Sequence, residues 1–346
     1  MTQKSRYFLI AASAVLIVGV GGGLIAYLAY KRSPTIPAGI PEEVRFVPAD
    51  AALIAYVNVR AVMASELRRE LIPNIETGTR KGRRMMNDFA GIDVETQVDH
   101  LLAYVERLEA SAQSSEAPKP PRAVMMVQGT FEQPRIEQFI GEHQGTIQNY
   151  NGHSIAVHQK GNEEIALGFL RPDLIAVGQA SLVRRVLDRS NDTSGTTQDM
   201  TSNAELMSLI RDVSGSTAWA VGYFDAMSQG MRLPSAMSRQ VPPLRLISAK
   251  ADVNGGVKAT IRADTADAPA AEQLREVVRS FVALARLQAA GKPQFEAAAK
   301  SIQLSGTDKT VQLAFAISPE TMRALAPRPP EDSKQPGPPK DPAPQR

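Results

Sequence analysis

The feature that most constrains this chain is its start. "MTQKSRYFLIAASAVLIVGVGGGLIAYLAYKRSP" holds no charged side chain from Tyr7 to Tyr30. As a helix that run would rise ~36 Å at ~1.5 Å per residue. A hydrocarbon core is ~30 Å thick, so the run is long enough to cross it with some tilt. Tyr7, Tyr27 and Tyr30 sit near its ends, where amphipathic rings favour the membrane–water boundary. A cleaved signal peptide would have a shorter apolar stretch ending in a small-x-small site. The residues before Lys31 read "AYLAY", which offers no such site, and there is no cysteine to carry a lipid.

Residues 7–30 therefore read as an uncleaved transmembrane anchor, with 1–6 as a cytoplasmic N-terminus. Lys4 and Arg6 before the span nearly balance Lys31 and Arg32 after it. The free N-terminus, with Glu42 and Glu43 beyond the span, tilts the orientation toward an inside N-terminus. The expected location is a single pass through the inner (cytoplasmic) membrane, with the bulk of the chain periplasmic. Gly19 and Gly23 form a G-x-x-x-G pair, which would let two spans approach closely and form a homodimer; small residues are also simply common in such spans.

Composition removes several function classes. Across 346 residues, 39 basic side chains are set against 36 acidic ones. That near balance argues against nucleic acid as a partner, because a dedicated binder concentrates positive charge. With no cysteine, disulfide frameworks, thiolate metal sites and cysteine nucleophiles are excluded.

Residues 31–43 carry Pro34, Pro37 and Pro41 and read as a semi-rigid linker. Residues 327–346, "PRPPEDSKQPGPPKDPAPQR", are Pro-rich and charged without an apolar pattern, and read as a disordered tail. Between them lie a first half (44–189), a polar connector (190–201) and a second half (202–326).

In the first half, Leu53–Val59 reads as a strand running into a helix. "VETQVDHLLAYVERLEA" places Val94, Val98, Leu101, Leu102, Val105 and Leu108 on one helical face, with Asp93 as N-cap. "RAVMMVQGTF" is a strand and "QPRIEQFIGEH" a short helix. Four apolar runs follow, "TIQNY", "SIAVHQ", "IALGF" and "LIAVG", separated by Asn151-Gly152, Gly161-Asn162 and Pro172-Asp173, which is the chemistry of a hairpin meander. "ASLVRRVLDR" closes the half as a helix.

The second half opens with a capping box, Ser202 and Glu205, before "LMSLIRDV". "LIAYVNVRAV" (53–62) and "AWAVGYFDAM" (218–227) then align without a gap in their apolar and polar classes. A hairpin around Asn254-Gly255-Gly256, a long helix from Asp267 and a hairpin around Thr307-Asp308 complete it. The expected fold class is α+β: an N-terminal transmembrane helix, then a duplicated region of antiparallel sheets covered on one side by helices.

The strand-to-helix junction at Asn58-Val59-Arg60-Ala61 has no glycine for a phosphate turn and no G-x-S-x-G elbow, so it reads as scaffold. His153 and His158 lie at odd separation on one strand and face oppositely. His100 reads as solvated beside a helical apolar stripe, and no metal-ligand spacing includes His143. Glu163-Glu164 face oppositely in a hairpin arm, while Trp219 and Tyr223 share a strand face and read as core. Arg80, Lys81, Arg83 and Arg84 form a basic cluster that could meet anionic head groups, at ~1 kcal/mol per charge. Glu66, Glu70 and Glu76 neutralise it locally, which makes an ordinary solvated face the plainer reading. No cofactor, metal or catalytic residue is expected.

With the anchor, "FVPADAALIAYVNVRAVMASELRREL" and "AVGQASLVRRVLD" in view, the chain resembles a group of uncharacterised bacterial membrane-anchored envelope proteins with an extracytoplasmic α+β region. The resemblance spans roughly residues 44 to 326 and implies an architecture and a setting, with no site residues to carry over. The expected role is non-catalytic binding or scaffolding, with an envelope protein as partner and the bilayer held through residues 7–30. An envelope hydrolase using unidentified carboxylates, or a carrier of an apolar or lipid ligand, stand as alternatives.

Overall fold

The structure, a computed structural model, describes residues 39–66, 91–107, 122–143, 145–160, 163–192, 198–224 and 242–325. The expected anchor at 7–30 with Gly19 and Gly23, the cluster Arg80, Lys81, Arg83 and Arg84, and the tail at 327–346 lie outside these residues. Among the described residues no helix is long and apolar enough to cross a membrane.

Short apolar segments bounded by turn residues pair into one sheet. In chain order the strands are β1 (Leu53–Asn58), β2 (Val98–Val105), β3 (Ala123–Gly129), β4 (Thr146–Tyr150), β5 (His153–Lys160), β6 (Glu163–Arg171) and β7 (Leu174–Gln179). They continue as β8 (Ala218–Tyr223), β9 (Leu244–Val253), β10 (Val257–Thr265), β11 (Gln303–Ser305) and β12 (Thr310–Ile317). The helices are α1 (Val59–Ala64), α2 (Val94–Gln97), α3 (Gln133–Glu142), α4 (Ala180–Asn191), α5 (Ala204–Val213), α6 (Ala268–Ala289), α7 (Pro293–Ser301) and α8 (Pro319–Leu325). Short 3₁₀ turns lie at Glu42–Phe46 and Met200–Ser202.

The fold is α+β, and the 12 strands among the described residues form a single antiparallel sheet of order β11-β12-β10-β9-β8-β1-β2-β3-β7-β6-β5-β4. The meander β4–β7 forms, with the expected Gly161-Asn162 turn lying outside the described residues. Asn151 and Gly152 take φ of 50° and 88°, the paired left-handed conformation of a two-residue hairpin turn, and so set Tyr150 opposite His153.

Helices cover both faces of the sheet rather than one. Alternation along the strands divides the side chains. Tyr56, Leu102, Met126, Ile155, Ala166 and Leu174 join one apolar cluster with residues of α4 and α5. Their neighbours Val57, Leu101, Val127, Ala156, Leu167 and Ile175 join another with residues of α1, α2 and α3. α6 packs Ala271 and Leu274 against Ala263 and Val311 in a third, smaller cluster.

The helix expected over residues 94–110 is, across its described part, one turn, α2, followed by β2. Asp93 does cap α2, accepting from the Glu95 N–H. Two causes produce the false helical period. β2 is buried on both faces, so simple alternation disappears. It also carries a bulge: Val98 pairs with Gly129 and His100 with Gln128, which leaves Asp99 as an extra residue. The extra residue turns the step between Val98 and Leu101, both in the same cluster, into a helix-like three. The Ser202/Glu205 capping box is likewise replaced. Asn203 caps α5 through its Oδ1, 3.1 Å from the Leu206 N, while Ser202 donates back to the Asp199 carbonyl.

β1 and β8 are paired neighbours inside the strand order, where the two halves of the sequence meet. Outward from β1 run β2, β3, β7, β6, β5 and β4; outward from β8 run β9, β10, β12 and β11. Each arm carries a bulge at the start of its second strand, Asp99 in β2 and Arg245 in β9, where Leu244 pairs with Thr265 and Leu246 with Asp264.

Candidate functional site

Asn58, His100 and Gln128 stand side by side on β1, β2 and β3, since Asn58 pairs with His100 and His100 with Gln128. Directly paired residues share a face, and Tyr56, two residues back along β1, shares it as well. The Asp99 bulge aims His100 at this face, the re-orientation that bulges supply. The 3₁₀ turn Glu42–Phe46 crosses above, and the α5–β8 loop at Gly215 and Ser216 closes a further side. Together they line a cavity of about 310 Å³ with Glu42, Glu43, Tyr56, Asn58, His100 and Gln128 in its wall.

Glu43 and His100 form the centre of the site. His100 Nε2 lies 2.9 Å from Glu43 Oε1, with side chains 13% and 2% exposed. Burial drives the Glu43 carboxyl up, but the His100 hydrogen bond and charge, its own backbone N–H and the more distant Arg171 together outweigh burial and hold it below its ordinary value. Tyr56 stacks on Trp219 at 5.5 Å between ring centroids and meets the His100 ring at 5.4 Å. Burial and the negative Glu43 push the Tyr56 phenol up to about 12. Two polar atoms of this pair have no hydrogen-bond partner among the described residues, Glu43 Oε2 and His100 Nδ1.

The surrounding polar groups are already engaged. Asn58 Oδ1 accepts from the Ala61 N–H at 2.8 Å and so starts α1. Arg171 pairs with Glu42 and lies 3.1 Å from Asp173 Oδ1 and 3.2 Å from Gln128 Oε1. Gln128 Nε2 donates to Asp173 Oδ2 at 2.6 Å. Asp173 is held below its ordinary value: burial opposes this, and the Gln128 and Arg171 hydrogen bonds outweigh it.

The sequence reading of His100 as solvated is thus corrected, because β2 is a two-sided strand and the histidine faces a carboxylate. Glu43 served there only as a charge for membrane orientation. Its signal was its place in "EEVRFV", where the neighbours Val44 and Phe46 are core residues. The junction at 58–61 is scaffold in its capping role, although Asn58 also lines the cavity.

The other residues singled out from sequence lie elsewhere. His143 bonds the Phe139 carbonyl at 2.8 Å through Nδ1 and stacks on that residue's ring. His153 bridges the Phe169 carbonyl and Asn191 Oδ1, both at 2.9 Å. Glu164 pairs with Arg184 at 3.1 Å. Trp219 is core, 1% exposed. Among the described residues no three His, Asp or Glu side chains converge as a metal set would require.

No family model matches this chain, and no curated protein matches it. Among solved structures, crystal forms I and IV of TP0453 are similar to it at 9% identity, each match covering 83% of this chain and 97% of that one, with TM-scores of 0.45 and 0.43. Likeness at that level carries no argument about what this chain does.

Proposed function

We propose that this chain is a single-pass membrane-anchored protein of a bacterial envelope. On this reading residues 7–30 hold it in the inner membrane, its bulk is periplasmic, and its sheet region binds a ligand or an envelope partner without catalysis. The observation that carries the binding part is the cavity of about 310 Å³ with Glu42, Glu43, Tyr56, Asn58, His100 and Gln128 in its wall. A concave site with a few convergent polar groups is where small ligands bind. The anchor rests on the uncharged run from Tyr7 to Tyr30. Arg80, Lys81, Arg83 and Arg84 are its proposed contact with anionic head groups, and Gly19 and Gly23 its proposed packing face in a homodimer.

The two halves read as repeats of one unit. Supporting this, a shift of 165 positions carries Leu53 to Ala218 and Val57 to Gly222, and these four residues form two ladder pairs, Leu53 with Gly222 and Val57 with Ala218. That is the register of a two-fold axis through Ala55 and Ala220. The bulges at Asp99 and Arg245 fall at matching places, and bulges are built features rather than defects. The repeat then isolates the site. Tyr56 corresponds to Val221 by the same shift, and His100 to Leu246 as the first residue past the bulge. Glu43 corresponds to Leu206, because the buried pairs Glu43-Val44 and Phe46-Val47 match Leu206-Met207 and Leu209-Ile210. Where the second arm has Leu206, Val221 and Leu246 in the apolar cluster, the first has a carboxylate, a phenol and an imidazole. Packing alone is met by aliphatic side chains, and a buried carboxylate costs several kcal/mol.

The test is crosslinking of the full-length chain in intact cells, beside a Glu43→Leu/His100→Leu variant. A bound molecule or envelope protein captured by the natural chain and lost from the variant supports the reading. Recovery of the natural chain alone, at native abundance, sinks it. Reporter fusions after residues 40 and 330 that are active only in the cytoplasm would overturn the location.

A further inference from the structure

The two ends of the sheet are finished differently. β11 is three residues long, Gln303–Ser305, and shortness is one protection of an edge strand against pairing with another chain. β4, Thr146–Tyr150, is the other end, and four of its five residues are exposed. It lacks the further protections as well. "TIQNY" contains no charge and no proline, and its register against β5 runs without a bulge. Thr146, Ile147 and Tyr150 are residue types that favour strands. The hairpin turn also fixes which backbone groups point away from the sheet. A two-residue turn makes Tyr150 and His153 a hydrogen-bonded pair, so bonded pairs recur at Gln148–Ile155 and Thr146–Val157. The N–H and C=O of Ile147 and Asn149 therefore point outward. Among the described residues no backbone bond outside the ladders engages them.

We propose that β4 is an interface for a second copy of this chain, the two β4 strands pairing antiparallel about a two-fold axis at Gln148. The outward groups select this occupant, because Ile147 and Asn149 lie symmetrically on either side of Gln148. Rotation about Gln148 sets Ile147 opposite the second copy's Asn149, twice, and each such pair exchanges two backbone bonds. Thr146 then faces Tyr150, and Gln148 faces its own counterpart. Like charges placed opposite each other are destabilising, and a strand without charge pairs with itself free of that conflict. A register centred on Ile147 is poorer. It sets Asn149 against Gly145, whose N–H already donates to the Ile140 carbonyl. The same kind of join exists within the chain, where β1 and β8 pair antiparallel about Ala55 and Ala220. One short strand buries less than a standard interface, so the contact is weak alone. On the anchor reading above, it draws on the raised effective concentration of chains held in one membrane. β3, β7, β6 and β5 lie between β4 and the His100 strand β2, so the inference goes beyond the cavity and stands apart from it.

The chain has no cysteine, so one introduced thiol reports one place. In a non-hydrogen-bonded antiparallel pair the Cα atoms lie ~4.5 Å apart, within disulfide reach. Full-length Gln148→Cys in membranes of the producing cells, oxidised with copper-phenanthroline, should therefore give a disulfide-linked dimer. Leu287→Cys, at an exposed position on α6, measures chance collision and should crosslink at least about tenfold more slowly. Adding Ile147→Pro should lower the Gln148→Cys dimer to that background. Proline is tolerated where an edge N–H faces solvent, so circular dichroism and Trp219 emission should stay unchanged. Ile147→Lys, which puts a charge on the edge, serves should the proline variant not fold. Equal rates for Gln148→Cys and Leu287→Cys would overturn the pairing, as would a dimer that survives a folded Ile147 variant. A benzophenone attached to the Gln148→Cys thiol that captures another protein, and never a second copy, would assign the edge to a foreign strand and overturn the proposal. None of these outcomes touches the cavity, which the in-cell crosslinking of Glu43→Leu/His100→Leu decides separately.

Discussion

His100 Nε2 lies 2.9 Å from Glu43 Oε1, joining residues 57 positions apart in the chain. This pair fastens the 3₁₀ turn at Glu42–Phe46 onto β2, and it does so where both side chains are nearly withdrawn from water. Removing one member of such a pair strands the other, which typically costs ~3–5 kcal/mol. His100→Ala should therefore lower the unfolding free energy by about that amount, measured by urea titration. The emission of Trp219, the chain's one tryptophan, reports the transition from within the same cluster. His100→Gln keeps a donor for the carboxylate and should recover a substantial part of the loss.

The same pair predicts an acid limb. Glu43 is depressed in the folded chain from an ordinary value of 4.5, so the unfolded chain takes up its proton first. The stabilisation is present above about 4.5 and is lost as pH falls through the folded value. Asp173, depressed from 3.8, adds the same sign lower down. Urea midpoints should thus hold from pH 7 to about 5 and fall below 4.5, and Glu43→Gln should make the upper part of that fall shallower. An unchanged slope in Glu43→Gln would refute the assignment.

Much of the fold was legible because turn chemistry is local. Asn151-Gly152 and Asn254-Gly255-Gly256 name their hairpins wherever they occur, and the structure places a turn at each. β2 was not legible, because its meaning is tertiary. Leu101 and Leu102 face opposite cores, and the Asp99 bulge shifts the phase between Val98 and Leu101. The site failed for the same reason. Once residues 94–110 read as a surface helix, His100 had to point at water, and nothing local connects it with Glu43.

Gly129 offers a test of the bulge itself. A Cβ on this residue would sit 2.0 Å from the Gln97 carbonyl oxygen, a backbone atom that has no room to yield without moving α2. Gly152 has a left-handed φ of 88° but nothing within 4 Å of a Cβ. Gly152→Ala should cost ~1 kcal/mol from backbone strain alone. Gly129→Ala should cost more, on the order of 2–3 kcal/mol, as a named mechanism of steric and backbone strain. Denaturation midpoints of the two variants rank them directly, and a Gly129→Ala protein as stable as the natural chain would contradict the close approach drawn here.

The sharpest prediction separates scaffold from site. If Glu43 and His100 were retained for stability, replacing both would be costly. Yet a buried ion pair is frequently no better than well-packed apolar residues of similar volume, and replacement is neutral or stabilising by ~1–4 kcal/mol. The second arm has Leu206 and Leu246 at the corresponding places, both inside the apolar cluster. Glu43→Leu/His100→Leu should therefore unfold at the same urea concentration as the natural chain or a higher one, while either single leucine variant unfolds earlier. Stability and binding would then move in opposite directions in one protein: the double variant gains or keeps the first and loses the second. A double variant less stable than both singles would mean that the pair is structural, since the polar cluster would then be holding the 3₁₀ turn in a way that leucine cannot.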